Sequence, residues 1–271
     1  MTSDDRVRAL GPFTDLQPVS GGDIHQAFCG TTASGQRLFI KTHPNPPPGI
    51  FQAEADGLAA LAAIDEQLCP KVVRVEAHAL VLEWLDFAHQ APGRALGRAL
   101  ARVHRAPAER FGGQKSNYLA TLPQHQPPCS TWSELYRDHR LAPLIPHCPK
   151  PLRGALDRLL PRLDQLLALP DPPSWLHGDL WAGNAAVTTA GQAVLFDPAV
   201  STGHREQDLA MTHLFGGFHA DFYDAYEEVY PLTAGWEERV SLHQIYPLLA
   251  HVALFGAPYV ERAQRAVMRW L

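Results

Sequence analysis

The chain has 271 residues, of which 46% are hydrophobic, enough to form a sizeable core without disulfides or a structural metal. Its 23 Lys and Arg residues face 28 Asp and Glu residues, and the net charge of −5 argues against a nucleic-acid or anionic-membrane binder, since both need a clustered positive face. No stretch approaches the roughly 20 apolar residues of a membrane span, and the start MTSDDRVRAL lacks a signal peptide's apolar segment, so we expect a soluble, cytoplasmic globular protein.

The first 85 residues favour strands, with one helix among them. Short runs rich in β-branched and aromatic residues predict strands at 37–42, 72–77 and 79–85, and the last two are expected to pair. Apolar residues recur with a helical period over 50–64. We therefore expect a small, strand-rich N-terminal lobe over residues 1–85.

After residue 90 the pattern becomes helical. Leucines along 151–169 form a helical stripe, and Pro161 is expected to kink or split that helix because proline cannot donate a backbone hydrogen bond. Helical patterns also cover 206–218, 220–230 and 235–268. We therefore expect an α+β fold in which a larger helical lobe spans 86–271. A cleft between two such lobes is where a ligand usually binds.

The most specific chemical signal is the sequence HGDLWAGN at 177–184. It places Asp179 five residues before Asn184, and the apolar run AVLFD then brings Asp197 to the end of a strand. Two carboxylates and an amide in this arrangement suit phosphoryl transfer, in which one carboxylate accepts a proton while the amide and the second carboxylate bind Mg²⁺. The structural alternative is a turn whose Asp and Asn cap backbone groups.

Lys41 and Glu54 form a second candidate pair. Lys41 ends the strand at 37–42, and Glu54 lies on the apolar face of the helix at 50–64. A carboxylate that faces the interior needs a partner, and Lys41 is the nearest basic candidate in the sequence. The pair is predicted to position nucleotide phosphates, the alternative being a solvent-reaching lysine and a helix-edge glutamate.

Two further segments are candidates for nucleotide contacts. Gly21 and Gly22 lie between two candidate strands, where a turn can offer backbone N–H groups to phosphates, although a hairpin turn explains the same residues. The segment 82–87 is expected to link the lobes, so that backbone groups at Glu83 and Leu85 can hydrogen-bond an adenine edge.

Other classes of site are disfavoured. The four cysteines contain no CxxC pair, and a disulfide framework is not expected in a chain of this size. The 14 histidines contain no HExxH, and pairs such as His213 with His219, or His243 with His251, match no known zinc spacing. The absence of GxSxG argues against a serine hydrolase.

Together these segments resemble the fructosamine (ketosamine) 3-kinase family, a branch of the protein-kinase-like fold that includes aminoglycoside phosphotransferases and choline kinases. The resemblance covers nearly the whole chain, and HGDLWxGN and DPAxxxGHRExDLAMT are its most specific motifs. It implies a kinase that uses ATP and Mg²⁺ to phosphorylate the 3-hydroxyl group of a ketosamine, which leads to deglycation. The implied acceptor is a small ketosamine or a glycated lysine on a protein.

The resemblance also implies roles for the residues of the catalytic region. By position, Asp179 resembles the catalytic base, whereas Asn184 and Asp197 resemble the magnesium ligands. Asp208 resembles a helix aspartate that braces the catalytic loop, a structural role. Trp181 either packs against the sugar or anchors the loop in the core, and the sequence does not choose between the two.

On the nucleotide side, Lys41 and Glu54 resemble the phosphate-clamping ion pair, and the stretch from Glu83 through Trp84 to Leu85 resembles the adenine hinge. Two positions depart from the family pattern. Relatives often have Asn where this chain has His25, and Gly where Ala120 stands. Because the second position is expected near the acceptor, substrate preference can differ from that of the family.

Two alternative functions stay open. The same machinery can act on another small alcohol, such as an amino sugar or a choline-like compound. A nucleotide-binding pseudokinase is the other alternative, and retention of Lys41, Asp179, Asn184 and Asp197 argues against it. His204 follows Asp197 by seven positions, which leaves no room for a long activation loop and favours a small-molecule acceptor.

Overall fold

The computed structural model describes residues 7–8, 10–19, 25–88 and 93–271. Its N-terminal part is a five-stranded antiparallel sheet composed of β1 (Phe13–Val19), β2 (Gln26–Thr32), β3 (Arg37–Thr42), β4 (Val72–Glu76) and β5 (Ala79–Glu83). The order across the sheet is β1-β2-β3-β5-β4, which places β3 in the centre. The three predicted strands are confirmed, as is the pairing of β4 with β5, although β5 ends two residues earlier than expected.

The two faces of β3 meet different surroundings because side chains alternate along a strand. Leu38 and Ile40 pack with Phe28 in a small apolar cluster on one face. Phe39 and Lys41 line a cavity on the other face. The alternation therefore directs Lys41 away from that cluster and into the cavity.

Helix α1 (Ile50–Ala62) confirms the predicted helix at 50–64. Its buried face joins the sheet to the rest of the molecule, since Phe51 and Leu58 share one apolar cluster with residues of the C-terminal part such as Leu180. Gly57 lies so close to the following segment that an added Cβ would be 3.3 Å from Pro198. The helix is thereby fixed against both parts of the chain.

The C-terminal part is mainly helical. Its helices are α2 (Gly93–Arg105), α3 (Trp132–Tyr136), α4 (Lys150–Leu159), α5 (Leu163–Leu166), α6 (Glu206–Leu214), α7 (Ala220–Val229), α8 (Trp236–His243), α9 (Ile245–Phe255) and α10 (Ala257–Met268). A 3₁₀ turn over Leu160–Arg162 separates α4 from α5, so Pro161 splits the predicted helix as expected. None of the helices in the described part of the chain is long and apolar enough to cross a membrane.

The predicted helical range 206–218 is too long at its C-terminal end. Helix α6 ends at Leu214, and the residues after it include Gly216 and Gly217, whose φ angles are 73° and 91°. Such positive φ angles are accessible to glycine at no steric cost and are incompatible with a right-handed helix. The two glycines therefore stop the helix.

The predicted helical range 235–268 is divided into three helices. Gly256, with a φ angle of 74°, separates α9 from α10. Pro247, in the first turn of α9, has no backbone N–H group and so cannot donate a hydrogen bond to the carbonyl oxygen of His243, four residues earlier. The backbone carbonyl of His243, at the end of α8, instead accepts a hydrogen bond from Gln207 Nε2 at 3.2 Å.

Three small antiparallel sheets of two strands each hold the loops that follow them. They are β6 (Asn117–Leu119) with β7 (Leu122–Gln124), β8 (Ser174–Leu176) with β11 (Ser201–Gly203), and β9 (Ala185–Val187) with β10 (Ala193–Leu195). The segment 177–184 is the connection from β8 to β9, and Asp197 lies between β10 and β11. The strand expected to deliver Asp197 is therefore present as β10.

Candidate active site

One carboxylate, that of Asp208, fixes the start of the loop at 177–184. Asp208, on the first turn of α6, accepts a hydrogen bond from the backbone N–H of His177 at 2.6 Å and another from Gly178 at 2.9 Å. Gly178 has a φ angle of 85°, and a Cβ there would lie 2.1 Å from the carbonyl oxygen of Ala199. Only glycine fits this close approach, and Asp208 has the bracing contacts that the resemblance implied.

The imidazole of His177 links this loop to the segment that carries Asp197. Its Nε2 is 3.1 Å from the backbone oxygen of Phe196, and its Nδ1 accepts from the N–H of Asp179 at 3.3 Å. Burial lowers the pKa of His177, so the ring is neutral, with its hydrogen on Nε2. The N–H of Phe196 also donates to the backbone oxygen of Asn184 at 3.1 Å. The two loops therefore form one hydrogen-bonded unit.

Two buried residues that the sequence did not identify support Asp208. Nε2 of His104, on α2, lies 3.2 Å from Asp208 Oδ2, and its Nδ1 lies 2.8 Å from the hydroxyl oxygen of Tyr226, on α7. All three side chains are buried. Nothing in the spacing of the three residues signals this contact, because it joins elements that are more than one hundred positions apart.

Asp179 lies in an environment that favours its protonated form. Desolvation and the nearby Asp197 raise its pKa from 3.8 to about 7. The side-chain amide of Asn184 donates to the backbone oxygen of Asp179 at 2.9 Å and to its Oδ2 at 3.2 Å. The carboxylate is therefore oriented by a neutral donor, and its pKa suits a group that exchanges a proton near neutral pH.

Asp197 has an unusual backbone and a close cationic partner. Its φ angle of 59° lies in the left-handed region, a conformation that non-glycine residues adopt at a cost and that is frequent at functional sites. Lys41 Nζ lies 2.5 Å from Asp197 Oδ1. Although burial acts to raise the pKa of Asp197, Lys41 outweighs it and lowers that pKa. The carboxylate is thus ionised and supplies oxygen atoms of the kind that Mg²⁺ prefers.

Lys41 and Glu54 form the predicted ion pair, with 2.8 Å between Nζ and Oε2. Both residues are buried, with 6% and 7% of their surfaces exposed. Burial alone would lower the pKa of Lys41, but Asp197 and Glu54 together raise it, so the ammonium group stays charged. The lysine consequently bridges α1 to the segment that carries Asp197.

The predicted adenine hinge lines the same cavity. The N–H of Glu83 donates to the carbonyl oxygen of Lys71 at 2.9 Å, and Glu83 Oε1 accepts from the N–H of Lys71 at 2.8 Å. The amide hydrogen of Glu83 is therefore already engaged. Any contact of Glu83 with a purine edge would therefore be made by its carbonyl oxygen, and the backbone of Leu85 is the other predicted contact.

The Trp84 side chain is held by Asp86 and Arg37. Its Nε1 donates to Asp86 Oδ1 at 2.9 Å, and the guanidinium of Arg37 lies 4.3 Å from the centre of its ring. Arg37 is also paired with Asp86 at 3.1 Å. These contacts connect the end of the hinge to β3.

The candidate residues converge on one cavity of about 960 Å³. One end is lined by the sheet, α1 and the hinge, and includes Lys41, Glu54, Glu83, Trp84 and Leu85. The loop at 177–184 and the segment between β10 and β11 contribute Asp179, Asn184 and Asp197 to its middle. The other end is formed by apolar and aromatic residues of α9 and its neighbours. A cavity of this size can accept a nucleotide together with a small acceptor.

Two of the predicted phosphate contacts, Gly21 and Gly22, lie outside the described residues. His25, the first described residue after them, lines the cavity and packs against His43 and Phe51 at centroid distances of 5.4 and 5.5 Å. Burial, together with the charge of Lys41, lowers the pKa of His25 to about 4. The ring that replaces the usual Asn is therefore neutral.

Trp181 faces the cavity rather than the core. It is 39% exposed, and its indole lies over Gly183, where an added Cβ would be 2.2 Å from the ring. An exposed indole that lines the cavity does not fit the core-anchor alternative. Ala120 also lines the cavity and has a φ angle of 54°, a conformation that favours the Gly usual at this position.

Several cavity residues were not identified from the sequence, although the stretch that contains them was part of the resemblance. Tyr246 is buried, and its hydroxyl group accepts a hydrogen bond from Gln124 Nε2 at 2.7 Å. His251 and Phe255 follow on the same helix, and Phe215 faces them from the end of α6. The spacing of four or five residues along α9 is the signal that could have shown these side chains to share a face.

A second cluster of ionisable groups lies away from the cavity. His204, Glu206 and His243 are buried, and one nitrogen or oxygen atom of each lies within 4.8 Å of the others. The Glu206 carboxylate is held by Arg239 through Nε at 2.9 Å and a terminal nitrogen at 2.5 Å. Arg239 therefore provides the positive charge that Glu206 needs, and the cluster ties α6 to α8.

Comparison with known proteins identifies relatives over the whole length of the chain. The profile of the fructosamine kinase family matches residues 6–271. A probable ketoamine kinase of Enterococcus faecium is 38% identical over 257 residues, which cover 89% of this chain and 90% of the relative. The chloroplastic protein-ribulosamine 3-kinase of Oryza sativa is 30% identical over 273 residues, which cover 96% of this chain and 79% of the relative.

Solved structures show the same fold. A candidate fructosamine-3-kinase from Thermobifida fusca superimposes with a TM-score of 0.87 at 35% identity and covers 99% of both chains. A choline kinase from Streptococcus pneumoniae, at 16% identity, superimposes with a TM-score of 0.67 over 98% of this chain and 96% of that one. These likenesses confirm the predicted α+β, protein-kinase-like fold. With the family match over residues 6–271 and the relatives above, they establish that this chain belongs to the fructosamine kinase family.

Proposed function

We propose that this protein is an ATP-dependent ketosamine 3-kinase. It transfers the γ-phosphoryl group of ATP to the 3-hydroxyl group of a sugar that is joined to an amine as a ketosamine. The observation that carries the proposal is the convergence of Asp179, Asn184, Asp197 and the Lys41–Glu54 pair on one cavity. Family membership supplies the substrate class, since relatives are named as ketoamine and ribulosamine kinases.

In this proposal Asp179 is the general base. As the substrate O3 forms a bond to the γ-phosphorus, the proton of the hydroxyl group passes to the Asp179 carboxylate. The bond between the γ-phosphorus and the bridging oxygen breaks, and ADP leaves with the electron pair. The hydrogen bonds from Asn184 to Asp179 and from the loop to Asp208 hold the carboxylate in place during the transfer.

The donor set also fits Mg²⁺. The Asn184 amide nitrogen is directed to Asp179, which leaves its oxygen free, and Asp197 supplies an ionised carboxylate. Asn184 and Asp197 would hold the ion, which would neutralise charge on the nucleotide phosphates when bound. Lys41, kept charged and oriented by Glu54, would contact the phosphates beside it. The carbonyl oxygen of Glu83 and the backbone of Leu85 would contact the adenine.

Phosphorylation at O3 would activate the product for deglycation. Loss of a proton from C1 gives an enol-amine, from which inorganic phosphate leaves C3. Water then hydrolyses the resulting imine and releases the free amine with a dicarbonyl sugar. The acceptor is a small ketosamine or a glycated lysine on a protein. We also propose that the protein acts in the cytoplasm, and that residues 1–85 form its nucleotide-binding lobe and residues 86–271 its helical lobe.

A screen of acceptors tests this function. The protein would be incubated with Mg²⁺ and ATP and one compound of each class: a fructosyl or ribulosyl amine, an aminoglycoside and choline. Ketosamine-dependent release of ADP is expected. Turnover only with the aminoglycoside or choline would support the related phosphotransferase alternative. Nucleotide binding without turnover of any acceptor would support the pseudokinase alternative.

A further inference from the structure

Helix α9 lines the acceptor end of the cavity along its length. Tyr246, Ala250 and Leu254 follow one another at intervals of four residues, and His251 and Phe255 lie beside them on the same face. The nine positions from Tyr246 to Phe255 correspond to about 13 Å along the helix axis. That length exceeds an extended six-carbon sugar, so the cavity has room beyond the sugar that Asp179 would phosphorylate.

The distal part of this end is aromatic. We call Phe215, His251, Phe255 and Tyr259 the aromatic shelf. The His251 ring lies 5.0 Å from Phe215, 5.6 Å from Phe255 and 4.7 Å from Tyr259, measured between ring centres. Phe215 and Phe255 are 39% and 43% exposed, unlike most large apolar side chains among the described residues. Exposed aromatic surface inside a cavity is the kind that a ligand buries.

His251 contributes one polar atom to the shelf. Its Nδ1 lies 2.7 Å from the carbonyl oxygen of Pro247, and because that oxygen can only accept, Nδ1 carries the hydrogen. Burial lowers the pKa of His251, which keeps the ring neutral. Its Nε2 therefore has a lone pair that can accept a hydrogen bond from an ammonium group.

Charge is scarce at this end of the cavity. Among the described residues that line the cavity, the charged ones lie elsewhere: Asp179 and Asp197 are in its middle, and the list is completed by Lys41, Glu54 and Glu83 at the nucleotide end. Arg262 lies behind the shelf, 5.6 Å from the centre of the Phe215 ring, and donates to the carbonyl oxygen of Leu214 at 2.9 Å. The shelf offers no carboxylate to a second cation and is suited to an uncharged apolar group.

We propose that the aromatic shelf binds the amine substituent of the ketosamine, and that it favours aromatic or long apolar substituents over small charged ones. The sugar lies between Asp179 and Tyr246, the secondary ammonium group donates to His251 Nε2, and the substituent packs on Phe215 and Phe255. This assignment rests on the proposed function and names the class of amine that the acceptor carries.

Steady-state kinetics with two fructosamines test the shelf. The adducts of benzylamine and of glycine have the same sugar and differ in the substituent. The KM of the benzylamine adduct is expected to be about tenfold lower, the factor that follows from burying roughly 55 Å² of apolar surface, while kcat is similar. An equal or lower KM for the glycine adduct would overturn the proposal that the aromatic shelf binds the amine substituent. Turnover of neither adduct would contradict the proposed function as well.

Substitutions test whether the aromatic shelf causes the difference in KM between the two adducts. Phe255→Ala should raise the KM of the benzylamine adduct toward that of the glycine adduct and leave the KM for ATP unchanged, whereas Phe255→Leu should retain part of the preference. Met268→Ala is the matched control, because Met268 is 50% exposed on α10 and does not line the cavity. His251→Phe should raise the KM of both adducts. If Phe255→Ala changes the two KM values by the same factor, the shelf does not bind the substituent.

Discussion

Asp179 differs from Glu54 and Asp197, which both pair with Lys41, in having a neutral side-chain amide, that of Asn184, as its hydrogen-bond donor. Asp179→Asn would retain an oxygen that accepts this hydrogen bond but could not take up a proton. We expect kcat to fall by roughly 10² to 10⁴ while ATP affinity changes little, because the base acts in the transition state. Steady-state rates and a nucleotide-binding titration measure the two effects.

Asp157→Asn is the control, because Asp157 is exposed on α4 and the same change from Asp to Asn is made there away from the cavity. This variant should have the kcat of the wild type. Wild-type turnover by the Asp179 variant at saturating substrate would show that another group accepts the proton.

The Lys41–Glu54 pair permits a graded test of the nucleotide site. Lys41→Ala should raise the KM for ATP and lower kcat together, because the ammonium group would orient the phosphates. Glu54→Gln removes only the partner that orients Lys41 from α1, so a milder defect of the same kind is expected. An inactive Lys41 variant combined with a Glu54 variant indistinguishable from wild type would contradict the pairing.

At the scale of elements, the approach of α2 to α7 depends on Gly97. An added Cβ would lie 2.0 Å from the carbonyl oxygen of Phe222. Gly97→Ala is therefore expected to destabilise the fold by about 3 kcal/mol, the upper part of the usual range for overpacking. Gly154→Ala on α4 is the matched control, because an added Cβ there has no atom within 4 Å and alanine favours a helix by about 1 kcal/mol.

Urea unfolding of both variants measures the difference between their free energies of unfolding. Equal stabilities for the Gly97 and Gly154 variants would show that the two helices can move apart at little cost.

The contact between α6 and α8 makes stability depend on pH. Burial acts to raise the pKa of Glu206, but its interactions with His243 and Arg239 lower it from 4.5 to about 2. The folded state therefore binds this proton less readily, so about 3 kcal/mol of stability is present above pH 4.5 and is lost as the pH falls toward 2.

Glu206→Gln should unfold at lower urea concentration than wild type at about pH 6, and the gap should narrow at about pH 3.5. A gap that is constant with pH would show that Glu206 does not titrate in this range.

Much of the element order could be predicted from the sequence because β3 and α1 are long enough to show a period. The three small sheets could not, since three residues per strand carry no pattern and their pairing depends on distant partners. The same contrast holds within the site. Asp179, Asn184 and Asp197 are recognisable by spacing, whereas His104 and Tyr246 reach the site only through packing of distant helices.

At the scale of the molecule, the cavity is formed jointly by the sheet, α1 and the helical part. Phe51 and Leu58 of α1 share an apolar cluster with residues of the helical part, so the packing of α1 links the sheet to the helices. One cavity thereby contains the groups proposed for ATP, for the proton and for the acceptor. We therefore expect the γ-phosphoryl group to pass directly from ATP to the sugar.

The most direct measurement follows the product itself. The protein would be incubated with ATP, Mg²⁺ and fructosyl- or ribulosyl-lysine, and the mixture examined by mass spectrometry and by phosphorus-31 NMR. We expect the ketosamine to gain one phosphoryl group on O3 and free lysine then to appear. The Asp179→Asn variant should form the phosphorylated product far more slowly. Robust ATP turnover with kanamycin or choline, and none with any ketosamine, would contradict this expectation.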